Sequence, residues 1–226
     1  MYGAYMLCMH TLRPRTTCVV GNPYISSELL EAIRSSIHPE LIWTSSANEL
    51  LEMVRTKLVN IEDVRVQHKG SGCAVVRLMS SGPYARINDR FVVTNTGKLV
   101  SHTAFTPQSL ASLPLITCYD TAAINNAVTG KAAFPTEYLN FLKELPKDFF
   151  NTYRIVIQDK TLIKLVGNHT PITIFAWYKT CFSEKLQQAI TTLVARATHL
   201  SQQAMYKQKK WCIDVRMTKK LILMPV

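Results

Sequence analysis

Asp63-Val-Arg-Val-Gln-His68, Lys69-Gly-Ser-Gly72 and Cys73-Ala-Val-Val-Arg-Leu78 follow one another without a break. How they are read decides the fold of the first third of the chain. The first segment alternates apolar and polar residues at period two, as a strand with one buried face does. The second joins two glycines to a lysine and a serine, a turn composition, and the third is a β-rich apolar run. Together they predict a hairpin. Toward the N-terminus, Ser46-Ala-Asn-Glu49 is a capping-box pattern that opens a helix with Leu50, Leu51, Val54 and Leu58 inward. Before it, Ser26 can cap a helix reaching Ile37. Glu28 and Glu31 stand in its early turns, and Leu29, Leu30, Ile33 and Ile37 form its apolar face. Thr16 to Val20 reads as a strand stopped by Gly21-Asn22-Pro23. The predicted order over residues 16–81 is therefore β-α-α-β-β.

From Pro83 onward the texture changes to short strands separated by turns, which sets a second domain at 82–226. Arg90 to Thr94 and Lys98 to Ser101, joined by Asn95-Thr96-Gly97, predict another hairpin. Residues 102–133 give no clear periodicity, with Leu113-Pro-Leu-Ile116 the one ordered marker. A helix is expected after Pro135, carrying Tyr138, Leu139, Phe141, Leu142 and Leu145 and stopped by Pro146. Thr152 to Gln158 and Thr161 to Val166 flank Asp159-Lys160 as a third hairpin, and Pro171 to Ala176 is a short apolar run. Ser183 to Lys207 is the longest predicted helix. Its stripe of Leu186, Ile190, Leu193, Ala197, Leu200 and Ala204 suits a helix lying on a sheet. Strands Trp211 to Met217 and Leu221 to Val226 close the chain around Thr218-Lys219-Lys220. The class is α+β: a small β-α-α-β-β domain, then a mixed or antiparallel sheet domain with a long helix before its last two strands.

Composition narrows the function classes. Of 226 residues, 47% are hydrophobic and 18% charged, which excludes a disordered or fibrous chain. The net charge of +11 permits an anionic partner, but the basic residues are scattered and no nucleic-acid-binding motif accompanies them. Six cysteines, at 8, 18, 73, 118, 181 and 212, form no CxxC pair and sit mostly in apolar runs, as small buried hydrophobes do; one or two disulfides stay open. No apolar run is long enough to span a bilayer as a helix.

Catalytic signatures are missing from the pattern. Lys69-Gly-Ser-Gly72 lacks the downstream Gly-Lys-Ser/Thr of a phosphate loop, no GxSxG elbow occurs, and the six histidines show no ligand spacing. Asp214 and Arg216, two apart in a strand, share one face and suggest an ion pair. The reading is a protein that is not an enzyme and carries neither metal nor cofactor.

Several local sequences, in a common order from Thr16 to the end, resemble the FtsQ/DivIB family of bacterial division proteins. Cys18-Val-Val-Gly-Asn-Pro-Tyr-Ile-Ser-Ser-Glu-Leu29 is similar to the strand, Gly-Asn turn and Ser-Glu helix start that open the family's POTRA domain. Lys57-Leu-Val-Asn-Ile-Glu-Asp-Val-Arg-Val66, Pro83-Tyr-Ala-Arg86, Val92-Val-Thr-Asn-Thr-Gly97, Leu113-Pro114 and Ile213-Asp-Val-Arg216 follow at family-like positions. Residues 102–133 find no counterpart, and the family's transmembrane helix and cytoplasmic tail are not seen here.

The resemblance implies a POTRA-like domain at 16–81 and an FtsQ-type β domain at 82–226, with residues 1–15 left from a membrane anchor. It implies a septation scaffold of the divisome on the periplasmic side of the inner membrane, whose partners resemble FtsB and FtsL. Binding would occur by strand addition at the last sheet edge, Leu221, Ile222, Leu223 and Met224, with Trp211, Arg216, Lys219 and Lys220 beside it. Read from the residues alone, Leu221 to Met224 is equally an ordinary core strand. Two other readings stay open: a POTRA-containing module of an outer-membrane assembly or secretion system, and a basic nucleic-acid-binding protein.

Overall fold

A computed structural model describes residues 16–69, 73–159, 161–206, 209–216 and 221–225. The expectations for residues 1–15, for the turn at 70–72 and for Lys219 and Lys220 lie outside the described residues. Helix content of 37% and strand content of 33%, with helices beside mixed sheets, make the α+β class plain. The chain divides into two compact units. One holds the described residues up to Tyr84 together with Phe91–Leu113; the other holds Ala85–Arg90 and Pro114 onward.

In the first unit, β1 (Thr16–Val20) is followed by helices α1 (Ser27–Ser36), α2 (Leu41–Thr44) and α3 (Ala47–Arg55), then by β2 (Ile61–Lys69) and β3 (Cys73–Ser80). The sheet order is β1-β3-β2, with β1 parallel and β2 antiparallel to β3. Both expected caps form. Ser26 accepts from the Leu29 N–H, while Ser46 and Glu49 close a reciprocal capping box. That box holds the Glu49 carboxyl below its ordinary range, chiefly through its bond from the Ser46 backbone N–H. Ile33, Leu50 and Val54 bury the helix faces against Val64, Val76 and Leu78.

The same core takes in Val92, Val100, Ala104 and Phe105. These come from the hairpin β5 (Phe91–Thr94) and β6 (Leu99–Ser101) and from the turn after it. Gly97, at φ 81°, makes the hairpin turn. Past it, the Ser26 N–H donates to the Ala104 carbonyl at 2.9 Å and the Thr106 N–H to the Tyr24 carbonyl at 2.9 Å. The Tyr24 hydroxyl donates to the Ser80 carbonyl at 2.7 Å. A boundary at 81/82 therefore does not describe this packing, because 91–113 completes the first core. Its last element, α4 (Pro107–Ala111), belongs there too.

The second unit is built on strands in the order β12-β11-β10-β9-β8-β7-β4. They are β4 (Pro83–Ile87), β7 (Leu115–Cys118), β8 (Tyr153–Asp159), β9 (Leu162–Gly167), β10 (Ile172–Ala176), β11 (Trp211–Asp214) and β12 (Ile222–Pro225). Helices α5 (Thr121–Val128), α6 (Thr136–Glu144) and α7 (Lys147–Thr152) link β7 to its parallel neighbour β8, and α8 (Glu184–Gln202) links β10 to its parallel neighbour β11. Both crossovers step the same way along the sheet. Right-handed connections then place all of these helices on one face, and among the described residues of this unit no helix lies on the other, called here the uncovered face.

Burial follows that asymmetry. Ile87, Ile116, Ile155, Ile163, Leu165, Ile174 and Ile213, which share the helical face by register, are all buried. Phe149 of α7 meets both Tyr153 and Phe182 on this side. The long helix ends at Gln202, five residues short of its expected end, and a 3-10 turn, Ala204–Tyr206, reverses the chain toward β11. The Tyr206 ring against Trp211, 5.5 Å between centroids, closes that reversal.

Candidate functional site

The residues marked by the sequence gather around β11 and β12, at one end of this sheet. No described strand lies beyond β12. Its register on β11 is antiparallel, pairing Trp211 with Pro225, Cys212 with Met224, Ile213 with Leu223 and Asp214 with Ile222.

That register fixes which backbone groups of β12 face outward. The N–H groups of Trp211 and Val215 are donated toward β10, to the carbonyls of Pro171 and Phe175, both at 2.8 Å. Alternation along the strand then turns the N–H and C=O of Cys212 and Asp214 toward β12. Their opposite residues, Met224 and Ile222, must point back at β11 to complete the ladder. Leu223 and Pro225 consequently present their backbone to the outside. Pro225 offers only a carbonyl, since it has no N–H. Its position agrees with the ladder, where a proline facing inward would have cost a bond.

Side chains divide the other way. Leu223, half-buried, lies on the helical face with Ile213 and Trp211; Ile222 and Met224, each 38% exposed, lie on the uncovered face. Two rows of cross-strand neighbours run over that face. One reads Ile222, Asp214, Phe175, Lys164, Val156 and Thr117; the other reads Met224, Cys212, Thr173, Val166 and Arg154. Phe175, Lys164, Thr117, Thr173 and Val166 are half-buried, Ile222, Met224 and Arg154 are exposed, and Asp214, Val156 and Cys212 are buried, so the surface mixes apolar residues with charges of both signs.

Asp214 and Arg216 form the expected pair. The Arg216 Nη2 lies 2.6 Å from Oδ2 and its Nε 2.9 Å from Oδ1. The Arg216 backbone N–H also donates to Oδ1 at 3.0 Å. The arginine's hydrogen bonds hold the Asp214 carboxyl below its usual range. The guanidinium stands 5.9 Å from the Phe175 ring centroid, so it is turned over the uncovered face toward β10 and away from the β12 edge.

Trp211 sits elsewhere than a partner-facing residue would. It is 4% exposed, and its indole N–H is donated to the Ser201 hydroxyl of α8 at 2.8 Å. It is a core residue on the helical face. Ile222 to Met224 thus belong to an edge strand that Leu221 precedes, and Arg216 pairs with Asp214 over Phe175, away from that edge. The uncovered face itself went unread in the sequence. Its signal was there in the alternating polar residues of β8 to β10, Arg154, Lys164 and Thr173, opposite an isoleucine-rich face.

The thiols here are unactivated. Burial pushes Cys212 and Cys118 up to about 11, so both stay protonated at neutral pH. Among the described residues no group of His, Cys, Asp and Glu is placed to hold a metal ion. No described helix is long and apolar enough to cross a membrane. No protein-family model matches the sequence, and no curated protein matches it.

Proposed function

We propose that this chain is a non-catalytic cell-division scaffold that resembles the FtsQ/DivIB proteins and takes a partner strand at the β12 edge. The observation that carries the reading is the parity of β12, which turns the backbone groups of Leu223 and the carbonyl of Pro225 outward with no described strand beyond. A sheet edge with unpaired donors and acceptors accepts another strand through main-chain hydrogen bonds, while alternate side chains select it. The first unit opens with a strand, two longer helices with the single turn Leu41–Thr44 between them, and two more strands, and this order with the β1-β3-β2 sheet supports the POTRA-like part of the reading. On this view the partners are small membrane-anchored coiled-coil division proteins similar to FtsB and FtsL, met on the periplasmic side of the inner membrane.

The test is capture of partners from cells that express the chain, tagged at its N-terminus, with identification by mass spectrometry. Division proteins of that kind should be recovered with the native chain and lost with Leu223→Pro, which removes an outward N–H while leaving the β11–β12 ladder intact. Recovery of nucleic acid released by moderate salt would point instead to the uncovered face and its Arg154 and Lys164, and would end the scaffold reading.

A further inference from the structure

In the first unit, helices α1 and α3 cover the face of the β1-β3-β2 sheet that carries Val64, Val76 and Leu78. The alternate residues of the three strands point to the opposite face. The register there sets Val20, Arg77 and Arg65 in one row across the sheet, and Met79 and Asp63 in the next. Lys69 lies further along β2 on the same face. Val20 and Met79 are each 44% exposed, and Arg65, Arg77 and Lys69 are exposed as well.

Arg77 and Arg65 are direct cross-strand neighbours, a like-charge pair of the kind that weakens a sheet. Arg65 is compensated by Asp63, its Nε lying 2.9 Å from Oδ2, while Arg77 has no ion pair among the described residues. Exposed aliphatic side chains flank Arg77, with Val20 on the neighbouring strand and Met79 two residues along its own. An uncompensated guanidinium beside a second one, set among exposed aliphatic groups, is complementary to a carboxylate that carries aliphatic neighbours of its own.

We infer that this face receives an acidic protein segment, with a carboxylate seated between Arg77 and Arg65 and aliphatic side chains over Val20 and Met79. Other polyanions suit the face less well. Arg65, Arg77 and Lys69 less Asp63 leave it a net charge of +2. An anionic membrane surface holds proteins through clusters of roughly four to eight cations. A nucleic-acid strand needs rings on which its bases can stack, and the register places no aromatic residue on this face. A carboxylate bonded to a guanidinium is directional and bidentate, so two arginines are enough to fix it.

The inference is independent of the β12 edge. Its test is a selection of binders from a random peptide library on the immobilised full chain, after depletion on Arg77→Glu. Sequences that interleave Asp or Glu with Leu, Ile or Val should be enriched. The commonest of them, made synthetically, should bind the native chain roughly tenfold or more tightly than Arg77→Glu, the effect of one lost charge-assisted hydrogen bond. Val20→Ser and Met79→Ser should each weaken it too. Urea unfolding supplies a second readout. Arg77→Gln relieves the like-charge pair, so it should weaken binding and yet leave the unfolding midpoint unchanged or raised. Should Arg77→Glu fail to fold, Arg77→Gln takes its place in the depletion. No enrichment, enriched sequences without acidic residues, or a midpoint lowered by Arg77→Gln would each overturn the inference. Tighter Arg77-dependent binding to phosphatidylserine–phosphatidylcholine vesicles or to oligodeoxythymidylate than to the peptide would do the same. Leu223→Pro should leave peptide binding unchanged, and a loss there would move the segment to β12 and overturn its assignment to this face. Failure to capture division proteins would sink the scaffold reading alone.

Discussion

The indole N–H of Trp211 is donated to the hydroxyl of Ser201 at 2.8 Å, and that hydroxyl donates in turn to the Ala197 carbonyl, also at 2.8 Å. One serine in the last turns of α8 thereby fastens the helix to the first residue of β11. Trp211 is only 4% exposed, so its indole nitrogen has little access to water if the serine is lost. Ser201→Ala should lower stability by about 1–2 kcal/mol, the cost of an unpaired buried donor. Urea unfolding followed by tryptophan fluorescence measures it. Ser201→Thr keeps the hydroxyl and should recover most of the loss, whereas equal losses in both variants would show that side-chain volume, not the hydrogen bond, was responsible.

Acid should act through Asp214. Its carboxyl is 12% exposed and held low by Arg216, so its folded pKa lies below the ordinary 3.8. A lowered carboxylate pKa stabilises the fold above the unfolded value, and that stability drains away as pH falls through the folded one. Arg216→Ala should therefore cost about 1–2 kcal/mol at neutral pH, a figure kept small because the guanidinium is 43% exposed. The difference between the variant and the native chain should shrink below pH 3.8 and be constant above it. Chemical unfolding at a series of pH values would show this. A difference that grows with acid would contradict the assignment.

The cysteines offer a direct check on the packing. Cys18 and Cys181 are exposed, Cys73 is intermediate, and Cys118 and Cys212 are buried, all as free thiols. Burial also pushes Cys118 and Cys212 up to about 11, so little thiolate exists to react at pH 8. Ellman's reagent should label Cys18 and Cys181 rapidly in the native chain and reach Cys118 and Cys212 only after denaturation. Peptide mapping of the labelled sites would decide it; fast labelling at Cys212 would mean that β12 leaves the sheet readily.

How much of this was legible in the sequence depends on how local the signal was. The caps at Ser26 and Ser46, the hairpin of Asp63–His68 with Cys73–Leu78 and the pairing of Asp214 with Arg216 all rest on residues close in sequence, and each formed. Strand β7 showed in the sequence only as the marker Leu113-Pro-Leu-Ile116, inside a stretch without clear periodicity. What secures it is remote: the Asn88 side chain accepts from the Cys118 N–H at 2.7 Å and donates to the Cys118 carbonyl at 2.8 Å. The return of 91–113 to the first unit is of the same kind, resting on Ser26 with Ala104 and Tyr24 with Thr106. Trp211 was misplaced for a related reason. Nothing near it in sequence tells which strand face the long helix will cover, because that follows from the handedness of two crossovers.

The parity of β12 finally separates two neighbouring residues that sequence alone treats alike. Ile222 is 38% exposed on the uncovered face, while Leu223 is half-buried beside Ile213 on the helical face. Lysine at 222 can extend along the open face into water, so Ile222→Lys should change stability by no more than about 0.5 kcal/mol. Lysine at 223 must displace an apolar side chain from the helical layer, and Leu223→Lys should cost roughly 1–3 kcal/mol. Urea titrations of the two variants distinguish them. Of these two lysine variants only Ile222→Lys is a fair test of binding, because its fold is preserved while the side-chain surface beside an added strand is altered. An Ile222→Lys chain that unfolds as readily as Leu223→Lys would mean the strand sits one residue out of the register described here. Since a slip of one residue exchanges the two faces, the outward groups of Leu223 and Pro225 would turn inward with it.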